Sequence, residues 1–167
     1  MALSLQEIFL RLLVATVLTG LIGVEREIRQ KPAGVRTNAL IGLGSAAMTL
    51  CGVYAVLAWP AGGGAVDRIA STIVQGVGFL GAGAIIQASG SVHGLTTAAT
   101  MWVVAGIGIA AGFGFYAIAG ATTLIVLILL VLFGPLDAQL MGDEAEKERR
   151  GVMKRLFGKS GKNSSPR

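Results

Sequence analysis

Between Ile69 and Leu136 the chain has no Asp, Glu, Lys or Arg. Charged residues make up about a quarter of an ordinary globular protein; here they are 14%, against 53% hydrophobic residues. An uncharged stretch of that length excludes a water-facing fold over this region. Histidine and cysteine are scarcer still, with one of each, His93 and Cys51. A single pair cannot complete a zinc site, and a lone cysteine excludes an intrachain disulfide. Cys51 lies inside an apolar run and reads as a small packing residue. His93 has no acidic neighbour in sequence with which to form a nucleophilic triad. No catalytic residue, metal site or cofactor is expected, and the chain reads as non-enzymatic.

What is present is a series of apolar segments near the ~20 residues that cross a hydrocarbon core. The expected fold is all-α, a polytopic membrane bundle of about five transmembrane helices. Ser4 and Glu7 have capping-box spacing, so span one should start near Ser4 and run to about Val24; Arg11, one turn after Glu7, should pair with it or snorkel to the interface. The other spans are expected at about Thr37 to Ala58 (closed by Trp59 and Pro60), Arg68 to Gln87, Thr96 to Gly112 and Tyr116 to Phe133. The split between the last two rests on "GFGFY" being a turn, because an unbroken helix there would be twice the membrane's thickness. Residues 1–136 form the transmembrane domain and 137–167 a basic cytoplasmic tail. No signal peptide is expected, since "MALSLQEIFLR" lacks a leading positive charge. Arg26, Arg29, Lys31 and Arg36 lie in the loop after span one, and the tail is rich in Lys and Arg. Their side should be the cytoplasm, with the N-terminus outside. In "RRGVMKRLFGK" the apolar residues Val152, Met153, Leu156 and Phe157 share a helical face, which suits a membrane-surface helix; a solvated tail that only fixes topology is the other reading. The basic residues thus serve a membrane, and nucleic acid is not an expected partner.

Gly76, Gly78 and Gly81 in "QGVGFLGAGA" have the G-x-G-x-x-G spacing of a dinucleotide loop. That motif has physical content only between a strand and a helix, with an acidic residue about 20 positions on; this context is missing. In lipid, small residues let helix backbones approach closely and supply much of the attraction between them. Gly108 and Gly112 form G-x-x-x-G in span four, Gly42 pairs with Ala46 in span two and Gly78 with Ala82 in span three. Gly76, Gly78, Gly81 and Gly83 read either as packing residues or as a break in span three, where a discontinuous helix would line a cavity.

The blocks "GLIGVEREIRQKPAGVRTNALIGLGSA", "RIASTIVQGVGFLGAGAII" and "VHGLTTAATMWVVAGIGIAAGFGFY" resemble, in register from about Gly20 to Tyr116, the membrane domain of the MgtC/SapB family. The family pattern falls on Gly23, Glu25, Arg26, Glu27, Pro32, Gly34, Arg36 and Thr37, then on Arg68, Gly76, Gly78, Phe79, Gly81 and Gly83. It resumes at Gly94, Leu95, Thr96, Thr97 and Trp102. The resemblance implies a multi-pass protein of the bacterial inner membrane, linked to magnesium homeostasis, growth in scarce magnesium and virulence. It also implies a non-enzymatic regulator acting through a membrane partner such as the ATP synthase or an ion-transport (P-type) ATPase. A homo-oligomer is a further expected assembly, resting on the glycine-rich third span and the Arg68 stripe. Well-studied virulence members carry an additional folded cytoplasmic domain, where about 30 polar residues follow span five here. Asn38 stands where histidine is common. The alternative function is a small oligomeric ion or solute transporter or channel. Mg²⁺ is held through carboxylates and retained water, yet spans two to five have no Asp or Glu, so such a path would be lined by carbonyls or hydroxyls.

Two polar groupings are candidate binding residues. Arg68, Thr72 and Gln75 fall on one helical face, either as a functional stripe or as a snorkelling arginine with two residues bonding neighbouring helices. Arg26, Arg36, Thr37, Thr96 and Thr97 cluster at the expected cytoplasmic ends of spans two and four, where helix N-termini favour an anion, with Glu25 orienting one arginine. The competing reading is a Glu25–Arg36 salt bridge locking span one to span two, with threonines that only cap helices.

Overall fold

The computed structural model describes residues 3–58, 65–88 and 91–134. The expected tail helix, the 136/137 domain boundary and the Trp59–Pro60 stop lie outside them. The chain divides into a compact unit, Met1–Ile128, and a second unit, Leu129–Arg167, whose described part is helical to Gly134.

The first helix, α1, runs over Leu5–Ile28. The Ser4 side chain accepts a hydrogen bond from the Glu7 N–H at 3.2 Å, one half of a capping box; the Glu7 carboxylate instead pairs with Arg11 one turn on. Core residues Arg11, Ala15, Thr19, Ile22, Glu25 and Arg26 recur at three- and four-residue spacing, so one stripe of α1 faces the bundle. The helix runs a turn past Val24 and ends with Gln30 in the left-handed region (φ 53°). There the Lys31 N–H donates to the Arg26 carbonyl at 2.9 Å and the Gln30 N–H to Glu27 at 3.0 Å, a Schellman-type ending that satisfies orphan carbonyls.

Helix α2 covers Val35–Ala58. Its first N–H, on Val35, donates to Glu27 Oε2 at 3.0 Å, so α1 supplies the cap that the α2 sequence does not. Substituting Glu27 by Ala should therefore lower stability by about 1 kcal/mol, read as a lower unfolding midpoint in detergent, whereas Glu27→Gln should retain most of the cap.

Helix α3, Ala65–Ala84, is continuous through Gly76, Gly78, Gly81 and Gly83, so the break expected as one reading of these glycines does not occur. It ends three residues before Gln87, where a short antiparallel ribbon begins: β1, Ile86–Ala88, pairs with β2, Ser91–His93, in the register Ile86↔His93 and Ala88↔Ser91. This ribbon is the one departure from helix among the described elements. It brings the chain straight back, and Gly94 (φ 90°) closes it so tightly on the Ala84 carbonyl that no side chain fits. Helix α4, Leu95–Phe113, follows. The expected turn is present: Gly114 adopts φ 84°, and its N–H donates to Ala111. Helix α5 then spans Tyr116–Gly134. Within the compact unit it buries Ala119 and Thr123 and exposes Ile118, Leu124, Ile125 and Ile128.

Helices α2 and α4 form the centre, each packing against α1 and α3. Four described helices, α1, α2, α4 and α5, are long and apolar enough to cross a membrane. Their outward residues, such as Phe9, Leu13, Val17, Leu21 and Leu40, are exposed, the inverse of a water-soluble bundle. The protein is a multi-pass membrane protein. Helix α3 falls outside this set of four because Arg68, Ser71, Thr72 and Gln75 interrupt it. Even so, its twenty residues measure about 30 Å, and Ile73 and Val77 pack with Ala105 of mid-α4.

Candidate functional site

Glu25, Arg26, Asn38 and Thr97, four of the buried polar residues of the bundle, lie where α1 ends and α2 and α4 begin. Stepping along the core stripe of α1 from Ile22 places Glu25 and Arg26 inward, and they are only 9% and 5% exposed. The Arg26 Nη2 donates to Thr97 Oγ1 of α4 at 3.1 Å, and Arg29 Nε approaches Glu25 Oε1 to 2.7 Å. Asn38, fully buried on α2, donates through Nδ2 to the Ala33 carbonyl and, at 3.0 Å, to that of Gly34. Both Glu25 oxygens, Arg26 Nε and Asn38 Oδ1 are buried without a hydrogen-bond partner; for Glu25 Oε1 the ion pair with Arg29 offers proximity but not hydrogen-bond alignment. A buried polar group without a partner costs about 1–3 kcal/mol; the ion pair with Arg29 offsets this for Glu25, which leaves Arg26 Nε and Asn38 Oδ1 as the unsatisfied groups at this end.

Of the expected anion cluster, the structure brings together Arg26 and Thr97, beside Glu25. Arg36, Thr37 and Thr96 are exposed. The Glu25–Arg36 lock is not formed: Glu25 pairs with Arg29 one turn along its own helix, and α1 is tied to α2 by Glu27. The threonines are not caps either. Gly94 is the α4 N-cap and has no side-chain cap bond, while Thr97 receives Arg26. Arg68 and Gln75 are exposed on α3, away from this cluster. Cys51 is exposed rather than packed, and with Leu40, Gly44, Met48, Ile69 and Gly76 it lines a groove of about 730 Å³ between α2 and α3.

The glycines divide sharply. A Cβ on Gly108 would lie 2.5 Å from the Gly42 carbonyl oxygen and 2.8 Å from Ser45 Cβ, and one on Gly112 would lie 2.8 Å from Thr49 Cβ, so these two let α4 press on α2. Gly81 makes ordinary contact with Ala98, at 3.5 Å, and Gly76, Gly78 and Gly83 face open space. The last three serve no packing inside the single chain.

Arg11, expected to pair with Glu7 or to snorkel, does pair with it and also reaches across to α4. It is 9% exposed and pairs with Glu7, and its Nη1 donates to the Gly112 carbonyl at 3.0 Å. A cation at a helix C-terminus complements the dipole, so Arg11 grips the end of α4 instead of snorkelling. Arg26 grips the other end. As many residues separate Arg11 from Arg26 as separate Thr97 from Gly112, about 22 Å of helix on each side. The signal for this clamp was the matched interval, which is visible only once α1 and α4 are known to be antiparallel neighbours.

The arrangement therefore locks helices together through arginines and holds one carboxylate among them. Among the described residues, no group of three or more His, Cys, Asp or Glu side chains could hold a metal ion. The profile of the MgtC family matches residues 12–139, a span that takes in Arg26, Thr97 and Gly112. The chain belongs to the MgtC family. It is 41% identical over 138 residues to a protein of Escherichia coli K12 named putative magnesium transporter YhiD, an alignment covering 81% of this chain and 64% of that protein. It is 42% identical over 147 residues to Protein MgtC of Salmonella typhimurium LT2, covering 87% of this chain and 61% of the relative. An uncharacterised protein of Haemophilus influenzae is 37% identical over 147 residues, covering 85% of this chain and 61% of the relative. The chain thus spans less than two thirds of the length of these relatives. No solved structure matches it.

Proposed function

We propose that this MgtC-family chain is a non-enzymatic regulator linked to magnesium homeostasis, acting in the bacterial inner membrane through a membrane partner such as an ATP synthase or an ion-transport ATPase. The observation that carries the reading is how the polar side chains are spent. Arg11, Arg26 and Glu27 are engaged in holding α1 to α4 and α2. Among the described residues, the outward-facing features include an apolar groove between α2 and α3 and the polar face of α3, which suit docking better than catalysis. The names of the Salmonella and Escherichia relatives support the magnesium link. Basic residues flanking the spans support a cytoplasmic loop between α1 and α2 and an external N-terminus, with α3 as a fifth span.

A second reading, a magnesium transporter or channel, is favoured by the name of the Escherichia relative and by the polar face of α3. Purified protein in liposomes separates the two. A regulator should pass no more Mg²⁺ than protein-free vesicles, and should retain a membrane ATPase during affinity purification from magnesium-starved cells. Saturable Mg²⁺ flux that disappears in Gln75→Leu would overturn the regulator in favour of the transporter.

A further inference from the structure

Polar side chains at bilayer depth need a hydrogen-bonding partner, because lipid tails offer none. Gln75 has none. It lies between Ile73 and Val77, which pack with Ala105, near the middle of α4. That depth is the middle of the apolar layer, yet Gln75 points away from the chain and is exposed. The same outward face carries Arg68 and Thr72 before it and Phe79 after it. Thr72 satisfies itself by donating to the Arg68 carbonyl at 2.7 Å, whereas the Gln75 amide has two donors and an acceptor to place. Phe79, 81% exposed, is the most exposed large hydrophobic residue of the described chain. Flanking this row are Gly76, Gly78 and Gly83, three glycines at which a Cβ would meet nothing within 4 Å.

We propose that this face of α3 is a homotypic interface, covered by α3 of a second copy of the chain. An amide is self-complementary: the Gln75 oxygen of each copy can accept from the Gln75 nitrogen of the other across a two-fold axis along the membrane normal. This axis makes the two α3 helices parallel and sets like residues opposite each other. The flanking glycines allow the backbone approach that such a bond needs, as small residues do in membrane helix pairs. Crossing near Gln75 and Gly78 splays the helices towards Arg68, keeping the two guanidinium groups apart at the membrane edge. Phe79 of each copy then covers the seam. A soluble partner is disfavoured because the face lies at lipid depth, and a lipid chain cannot satisfy the amide. The inference rests on α3 being a fifth membrane span, as proposed above, and stands whether or not the regulatory reading holds.

The experiment is disulfide trapping in native membranes. In a Cys51→Ser background that keeps Gln75, single cysteines are placed at Phe79 and Ala82 on the proposed face and at Leu21 on the lipid side of α1, then oxidised. The expected result is a covalent dimer of this chain from the α3 positions and little from Leu21→Cys. In nanodiscs, Gln75→Leu should weaken dimerisation about tenfold and Gln75→Asn should recover part of it, with the helix content of both unchanged. Equal trapping at Leu21 and Phe79, cross-links from Phe79→Cys to a different membrane protein, or a wild-type chain that is monomeric in nanodiscs would each overturn the proposal.

Discussion

Gly108→Leu is expected to abolish the native packing of the bundle while leaving membrane insertion intact. Even the first carbon of the new side chain would sit 2.5 Å from the Gly42 carbonyl oxygen and 2.8 Å from Ser45 Cβ, and a helix backbone cannot move aside as a flexible side chain can. The α2–α4 contact runs on through Gly112 against Ala46 and Thr49, so forcing the helices apart at Gly108 loosens it along its length. Overpacking of this kind costs about 3 kcal/mol, a large share of a marginal total of about 5–15 kcal/mol. Gly106→Leu on the same helix is the control. It gains the same helix propensity of roughly 1 kcal/mol over glycine but meets nothing within 4 Å. The thermal midpoint in detergent should fall steeply for Gly108→Leu and hardly move for Gly106→Leu; equal midpoints would remove the packing account.

The second large effect is expected at Glu25. Its carboxylate is buried beside Arg29, and Arg26, the next residue, is still more buried at the α4 N-terminus. Glu25→Ala leaves the buried Arg26 without that neighbouring anion, in a position where the positive end of the α4 dipole already disfavours a cation. Breaking a buried charge pair in this way costs about 3–5 kcal/mol. Arg29 is partly exposed and can turn to water, which puts the cost at the lower end. The double variant Glu25→Arg with Arg36→Glu should be as unstable as Glu25→Arg alone, because Arg36 is exposed and does not meet Glu25. Recovery of the wild-type midpoint by the double variant would instead restore a direct lock between the two residues.

Several features were legible because they depend on local chemistry. The start of α1 and the break between α4 and α5 follow from Ser4 with Glu7 and from Gly114 after Phe113, which splits an apolar stretch too long for one bilayer-spanning helix. Others failed for identifiable reasons. The helical reading of residues 85–87 missed the ribbon because Ile85, Ile86 and Gln87 have no period to reveal that the chain pairs back on itself after Ala88. Charge counting suggested Arg36 as the partner of Glu25, but the i,i+4 position of Arg29 was closer at hand and costs no chain ordering.

Composition, hydropathy and motif spacing alone determined that this is a largely helical membrane chain and where its principal helices lie, and the resemblance of its sequence blocks pointed to its family. These rest on transfer between water and lipid and on one-turn neighbours, and both are written along the chain. Only the tertiary structure decided which glycines carry which burden and which arginines are shared. Gly108 and Gly78 look alike in sequence, yet one meets a carbonyl of α2 and the other meets nothing. Arg11 and Arg26 look like interfacial charges until α4 is laid antiparallel beside α1 and its two ends fall at their heads. Helix partners are chosen by shape between segments far apart in the chain, and no local pattern encodes that choice.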